Sequence, residues 1–383
     1  VSGWPVVRLD SCSDIVSGAT PSTSDPSYWN GDICWATPKD LSEIDGAYIS
    51  DTPRKITREG LASCSAEVLP PQSVLFSSRA PIGHVAVNTV PMATNQGFKS
   101  FVPHRDKLDA KFLYHWLRTN RSYLESLGNG ATFKEVSKAV VSRIEVPLPA
   151  LAEQRRVAEI LDKADALQAK RVATLALLGS LTQSIFLDMF GDPSTNLRGW
   201  RRACLRDLGR ITTGGTPPSG KAGMFGGAIP FVTPGDLESD EPAKRTVTEE
   251  GAAEAATVGP DATLVCCIGA TIGKIGKTTE RTAFNQQINA VEWDEMVTGD
   301  YGFMVLRLFK PTIIGWGAST TLPILKKSTF ERIEIPVPPM DRQLVFSGVI
   351  RRLEQLRGSS RDALRTTGEF FHSLQSRAFR GEL

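Results

Sequence analysis

Arg54-Lys55 with Arg58, Ser77-Ser78-Arg79 followed by His84, and Asn95-Gln96 with Lys99 place cations and amides beside Gly- and Pro-containing turns. Later in the chain Lys244-Arg245, Lys274 with Lys277, Asn285-Gln286-Gln287 and Lys326-Lys327 do the same. Lys and Arg suit phosphate oxygens, Arg is bidentate to guanine, and Asn and Gln are bidentate to adenine. These residues are therefore the candidate DNA contacts. The net charge is only +2, so a polyanion must be met by local clusters, not by the bulk field. Surface Lys and Arg are also commonly no more than solvated.

Catalytic chemistry finds little material. Asp25-Pro26-Ser27-Tyr28 is near the Asp-Pro-Pro-Tyr motif with which adenine methyltransferases hold a flipped base. Ser27 replaces a proline, no Gly-rich cofactor loop follows, and an ordinary turn is expected. Gly276-Lys277-Thr278 lacks the glycine at position 271 that a phosphate loop requires, and a β-turn with exposed lysines is expected instead. The chain has four histidines and six cysteines with no CxxC pair, poor material for a metal site. Reduced thiols and a cytoplasmic location are expected, and Cys266 and Cys267 should face opposite sides of a strand. No HExxH, no GxSxG and no acidic cluster with a lysine at nuclease spacing occurs, so neither catalytic residues nor a cofactor are expected in this chain.

What must position the candidate contacts is written twice. Trp4, Leu9, Ile15, Gly18, Thr20 and Pro21 lead to Tyr28-Trp29-Asn30-Gly31-Asp32-Ile33-Cys34-Trp35-Ala36-Thr37-Pro38-Lys39-Asp40-Leu41. Trp200, Leu205, Ile211, Gly214, Thr216 and Pro217 lead to Met224-Phe225-Gly226-Gly227-Ala228-Ile229-Pro230-Phe231-Val232-Thr233-Pro234-Gly235-Asp236-Leu237, each 196 positions later. After short indels Ile56-Thr57-Arg58-Glu59-Gly60 answers Val247-Thr248-Glu249-Glu250-Gly251, and Asn95-Gln96 answers Asn285-Gln286. Gly130-Ala131-Thr132 answers Gly317-Ala318-Ser319, and Arg143 to Pro149 answers Arg332 to Pro338. A chain built of two diverged copies suits a partner in two parts. The shared Asn-Gln pair is better explained as a hydrogen-bonding element of the fold. Shared residues cannot specify different targets, so base readout is expected where the copies differ.

Each copy opens with β-branched runs punctuated by Gly, Pro and Asn, a mostly β domain with a helix near Ala110–Arg118. Each closes with a long proline-free stretch, Glu153 to Met189 and Asp341 to Phe379, a rod of about 55 Å as one helix. Gly191-Asp192-Pro193 and Gly381 are the expected stops. Ala164, Leu167, Arg171, Thr174, Leu178, Leu181 and Ile185 form a heptad-like stripe, widened by Leu175. Leu353, Leu356, Ser360, Ala363, Thr367, Phe370 and Leu374, with Leu364, repeat it 189 positions on. Such stripes predict a helix pair, antiparallel because only Gly191–Gly199 links the first rod to the second copy. The domains expected are 1–149, 150–191, 192–338 and 339–383. With 41% hydrophobic and 22% charged residues the chain reads as globular. No run approaches the ~20 apolar residues of a membrane span, no signal peptide shows at Val1, and no membrane partner is expected.

The first block resembles the opening of the specificity subunit of type I restriction-modification enzymes. So do Pro147-Leu148-Pro149 with Leu151-Ala152-Glu153-Gln154-Arg155-Arg156, Phe186-Leu187-Asp188-Met189-Phe190-Gly191-Asp192 and the terminal Ala378-Phe379-Arg380-Gly381-Glu382-Leu383. The resemblance covers the whole chain. It implies an α+β fold: two mostly β target recognition domains joined by two long antiparallel helices in a coiled coil. Each domain would read one half of a split double-stranded DNA site, and the helices would set the spacing. Two modification subunits using S-adenosylmethionine for adenine methylation would dock near the helix ends, at Glu153, Gln154, Arg155 and Arg156, and would bring ATP-dependent restriction subunits. The second copy departs from the pattern with Met224-Phe225-Gly226-Gly227 and Asp341-Arg342-Gln343. Two other classes compete: an enzyme that modifies DNA alone, and a scaffold that pairs two protein ligands without DNA. Reading heads on one face of B-DNA lie about 34 Å apart or a multiple of it, within reach of the rods, so half-sites about one helical turn apart are expected.

Overall fold

A computed structural model of the chain describes residues 3–44, 46–129, 134–239, 241–317 and 323–383. Of the repeated Gly130-Ala131-Thr132 and Gly317-Ala318-Ser319, all but Gly317 lie outside these residues. The chain divides into two units, Val1–Val172 with Ala363–Leu383, and Ala173–Asp362.

In the first unit the strand Trp29–Ala36 pairs antiparallel with Lys55–Ile56 and parallel with Met92–Thr94, with an irregularity between Trp29 and Ile33. In the second unit Phe225–Val232 pairs antiparallel with Arg245–Val247 and parallel with Thr282–Phe284, with the irregularity between Phe225 and Ile229. The repeat read in sequence is thus a repeat of ladder, register and bulge. Beside each of these sheets lies another. Ser13–Ser17 pairs with Lys99–Pro103, and Gly209–Thr213 with Ile288–Trp293. The ends of each globule are tied by a two-stranded ladder, Val6–Arg8 with Glu145–Pro147 and Arg201–Cys204 with Glu334–Val337.

The repeated Thr-Pro-x-Asp-Leu block has a local cause. Thr37 donates from its backbone N and Oγ1 to Asp40 Oδ2 at 2.7 and 2.8 Å. Thr233 does the same to Asp236 Oδ2 at 2.8 and 2.6 Å. This is a capping box, in which side chains satisfy amides at a turn start, with Pro38 at the first helical position of the first copy. The shared Gly18 and Gly214 are there for lack of space: a Cβ would lie 2.0 Å from the Asn95 carbonyl oxygen and 2.1 Å from that of Asn285.

The rods are single helices, Leu151–Phe190 and Met340–Ala378. Gly191 ends the first in the left-handed region at φ +78°, a conformation that costs glycine little. Within the first unit Val157 and Leu161, near the start of one helix, pack in one cluster with Phe371, Leu374 and Ala378, near the end of the other. Within the second, Phe186 and Phe190 at the end of the first helix meet Phe346, Ile350 and Leu353 near the start of the second. Phe186 and Phe346 are 5.6 Å apart, edge to face. The pairing is antiparallel in each unit, as the short connection predicts. Arg171 and Thr367, both polar members of the expected stripe, donate to the same Ala363 carbonyl, which links the helices through a polar contact.

The expected seam needs correction. Leu356 and Phe370 are 55% and 60% exposed, and Leu167 and Leu181 are 45% and 42% exposed; Phe371 is buried where Phe370 was expected. An α-helix drifts by ~20° per heptad from a strict 3.5-residue repeat. Deep burial also concentrates where a globule adds a third wall, and from Asp162 to Ile185 no described side chain is fully covered. A second correction concerns length. By length and composition the helix Leu151–Phe190 holds a stretch apolar enough to cross a membrane, and that stretch is little buried within the chain. The alanines and leucines are spread around the helix, so no unbroken apolar run marks them in the sequence.

Polar contacts fasten the first globule to its helix. His115 Nε2 lies 2.9 Å from Asp162 Oδ1, Lys111 also pairs with Asp162, and Arg118 donates to Asp165 at 2.6 Å. Burial alone would raise the Asp162 carboxyl, but hydrogen bonds from His115 and Lys111 outweigh it and hold the group below the ordinary aspartate value. A carboxyl depressed in the folded state contributes stability that is fully present above its unfolded value, about pH 4, and is lost as pH falls through the folded one. Asp162→Asn is expected to cost about 1–2 kcal/mol at neutral pH and to flatten the acid limb of stability. Urea unfolding at pH 7 and pH 3 measures both; an unchanged difference between the two would count against this coupling.

Candidate nucleic-acid interface

The candidate contacts separate into spent and unspent cations. Arg79 Nε lies 2.8 Å from Glu135 Oε2, and Lys99 Nζ lies 3.3 Å from Glu135 Oε1. Burial would raise Glu135, but these two cations outweigh it and keep the carboxylate below its usual range. Lys99 is 8% exposed. Its role as a DNA contact is therefore corrected to that of a partner for Glu135. Lys277 is corrected likewise: its Nζ lies 2.6 Å from Asp300, 3.6 Å from Asp261 and 3.9 Å from Glu354. Burial would lower Lys277, and the carboxylates hold it above the ordinary lysine value instead. The adjoining cleft, about 730 Å³, is lined by Glu238, Glu241, Glu280 and Glu354 and also by Arg307 and Arg357, a rim of mixed charge. Gly276-Lys277 closes a strand, Ile275–Lys277, and Lys277 is only 15% exposed, which corrects the expected turn with exposed lysines.

Lys55 pairs with Asp51 at 3.0 Å and Lys327 with Glu331 at 3.7 Å, both at the surface. Burial, and then Arg121, hold His84 below the ordinary histidine value, which disfavours its charged form. Arg58, at the start of the helix Arg58–Ala62, and Lys244 and Lys326 are exposed, and Lys274 is partly so. Among the described residues these four make no ion pair.

Arg54 and Arg245 are different again. The Arg54 guanidinium carbon sits 4.0 Å from the Trp29 ring centre and 4.9 Å from that of Trp35. The Arg245 carbon sits 4.2 Å from Phe225 and 5.6 Å from Phe231. The two rings meet edge to face in each unit, 5.1 Å apart at 85° and 5.9 Å apart at 84°. The aromatic shelves were not foreseen. Their signal was present, because Arg54 immediately precedes, and Arg245 opens, the strand that pairs antiparallel with the repeated aromatic one, and 191 positions separate the two arginines.

Asn95 and Asn285 behave as elements of the fold. Their Oδ1 atoms accept from the amides of Gly97 at 2.9 Å and Gln287 at 3.2 Å. Gln96 and Gln286 are exposed and accept from Thr20 and Thr216 in matching positions. The Asp25 turn is ordinary too: its Oδ1 accepts from the Ser27 amide at 3.0 Å and the Ser27 hydroxyl at 2.6 Å. Both vicinal thiols are buried, Cys266 in one core cluster and Cys267 in another. Burial pushes Cys12 up to about 11 and Cys267 up to about 12, values at which a thiol is a poor nucleophile. All six cysteines are unbridged. Among the described residues no group of His, Cys, Asp and Glu could hold a metal ion.

At the helix starts, Gln154 was expected to meet a partner subunit. It is wholly buried and is corrected to a clamp. Its Oε1 accepts from the Asp109 amide, and its Nε2 donates to the Lys107 and Pro149 carbonyls, all at 2.8 Å. Gln343 makes the same three contacts in the second unit, with the Thr298 amide at 2.9 Å and the Met296 and Pro338 carbonyls at 3.0 and 2.9 Å. Arg156 pairs with Glu153 at 2.7 Å and donates to the Leu383 carbonyl at 2.8 Å. Arg155 remains 64% exposed, 3.9 Å from Asp109.

The family model for the type I restriction modification DNA specificity domain matches residues 1–176 and 198–356. The chain is 32% identical over 246 residues to the type I restriction enzyme MjaIX specificity subunit of Methanocaldococcus jannaschii, covering 60% of this chain and 57% of that protein. It is 29% identical over 157 residues to the EcoR124I/EcoR124II specificity subunit of Escherichia coli, covering 39% and 38%. The matched stretches thus span little more than half of these relatives, or less. Among solved structures, a type I restriction-modification S subunit from M. genitalium superposes with a TM-score of 0.64 over 99% of this chain and 96% of its own, at 14% identity. A chain from a structural study of complex assembly and conformational transition in the type I R-M system gives 0.63 over 100% and 98%, at 19% identity. At such identities the likeness is one of fold.

Proposed function

Because the chain belongs to the type I restriction-modification DNA specificity family, we propose that it is the sequence-reading subunit of such a complex and carries no catalysis of its own. Each globule reads one half of a bipartite duplex site, and the two long helices set the distance between the halves. The observation that carries this reading is the duplication: one chain holds two copies of a fold, each presenting on an aromatic shelf an exposed arginine that has no ionic partner among the described residues. Leu167, Val172, Leu177 and Leu181 on the first long helix and Leu356 and Phe370 on the second are exposed. Exposed apolar side chains on each long helix suit coverage by another protein, here two modification subunits, and Arg155 is an exposed cation near the start of the first helix. Those subunits would hold S-adenosylmethionine and methylate adenine, and would bring restriction subunits that use ATP. The setting is the cytoplasm, where the unbridged cysteines stay reduced.

Expression with a modification subunit in a methylation-free host, followed by sequencing of methylated bases, tests the reading. A split motif methylated on both strands is expected. An uninterrupted motif, or methyl transfer by the purified chain alone, would overturn it.

A further inference from the structure

Arg54 and Arg245 share their register as well as their surroundings. Trp35 donates its amide to the Arg54 carbonyl at 3.2 Å, and Arg245 is the ladder partner of Phe231. Both side chains are exposed. Among the described residues neither guanidinium has a carboxylate or hydrogen-bond partner, whereas Lys55, Arg79, Lys99 and Lys277 are each paired with carboxylates. A guanidinium over aromatic faces is held by ~0.5–2 kcal/mol, which limits its rotamers and leaves its N–H fork open to an anion. The other cations near this arginine are not kept between the copies: Lys55 is answered by Thr246, and Arg58 by Glu249, although Thr57, Glu59 and Gly60 are kept as Thr248, Glu250 and Gly251.

We propose that Arg54 and Arg245 are equivalent phosphate anchors, one per unit, docked in advance on their aromatic shelves, and that neither reads a base. This rests on the DNA-reading function above and deepens it. Two units that read different half-sites have the sugar-phosphate backbone in common, and phosphate contacts fix position without carrying sequence information. An exposed cation retained on its shelf while the cations beside it are not serves that common part. Base readout then falls to residues around it that differ between the copies.

The test uses the subunit assembled with its modification subunits, a duplex carrying the methylated motif, and a pool of random-sequence duplexes. Arg54→Gln and Arg245→Gln are each expected to weaken binding to both probes about tenfold and to make the dependence of log K on log salt shallower by about one. The methylated motif should stay the same, and Arg54→Lys and Arg245→Lys should restore the salt dependence. Loss of selectivity at one base position would make the arginine a reader and overturn the proposal. Unchanged affinity and salt dependence in the Gln variants would also overturn it, and so would failure of both the Gln and the Lys variants to fold, since each leaves the arginine a structural role only. An unsubstituted complex that binds no duplex would overturn the DNA-reading function itself, and that result is recognised without any variant.

Discussion

Gln154→Ala and Gln343→Ala should each lower the stability of their unit by about 3 kcal/mol, the sum of three hydrogen bonds at about 1 kcal/mol apiece. Each side chain is 0% exposed, so truncation leaves one backbone N–H and two carbonyls in a buried site without their side-chain partner. The Asp109 amide and the Lys107 and Pro149 carbonyls in one unit, and the Thr298 amide and the Met296 and Pro338 carbonyls in the other, belong to the segments that precede the helices Ala110–Thr119 and Gly299–Leu308 and the two long helices. The clamp therefore fixes the angle at which each globule meets its long helix. Differential scanning calorimetry should show Tm lowered by several degrees. Glutamate in place of Gln154 should do at least as much damage, because a carboxylate would face two carbonyl oxygens. A shift of less than about 1 °C in the alanine variants would show that the clamp carries no load.

Gln154 also shows how a correct motif yields a wrong role. The segment Leu151 to Arg156 was identified as the head of a helix, and it is one. A sequence does not state which face of a helix start turns inward, and a polar residue there reads as solvent-facing or partner-facing. The informative sign was that Gln343 persists where its neighbours Glu153 and Ala152 are answered by Arg342 and Asp341. Retention amid divergence points to a duty that both copies share, and for a buried polar residue that duty is structural. The duplication itself was legible because its spacing is rigid: the 196-residue offset runs through the bulged strand and the capping box, where an insertion would break ladder register. The ion pairs of Lys99 and Lys277 were hidden for the opposite reason. Glu135 and Asp300 stand 36 and 23 residues away from them, and separation of that order is set by the fold and leaves no local pattern. The exposed Leu356 and Phe370 were misplaced because a heptad template was laid over helices whose burial comes chiefly from the globules.

The largest effect on function should come from shortening both long helices. Removing one heptad from each, at matched positions around the contact between Arg171 and the Ala363 carbonyl, keeps the helix phase nearly constant and takes about 10 Å from each helix at 1.5 Å per residue. B-DNA rises about 3.4 Å per base pair, so the spacer between the two half-sites should shrink by about three base pairs. The half-site sequences should persist, because both recognition globules, with Trp29 and Trp35 under Arg54 and Phe225 and Phe231 under Arg245, are untouched. Sequencing of methylated bases in a host carrying the shortened subunit and its modification partner should then show the same two half-sites around a shorter gap, with methylation of the original motif lost. Removing the heptad from one helix alone should misalign the Phe371 and Leu374 cluster or the Phe346 and Ile350 cluster and give a subunit that assembles poorly. A spacer that stays the same length in the doubly shortened subunit would show that the helices do not measure the site.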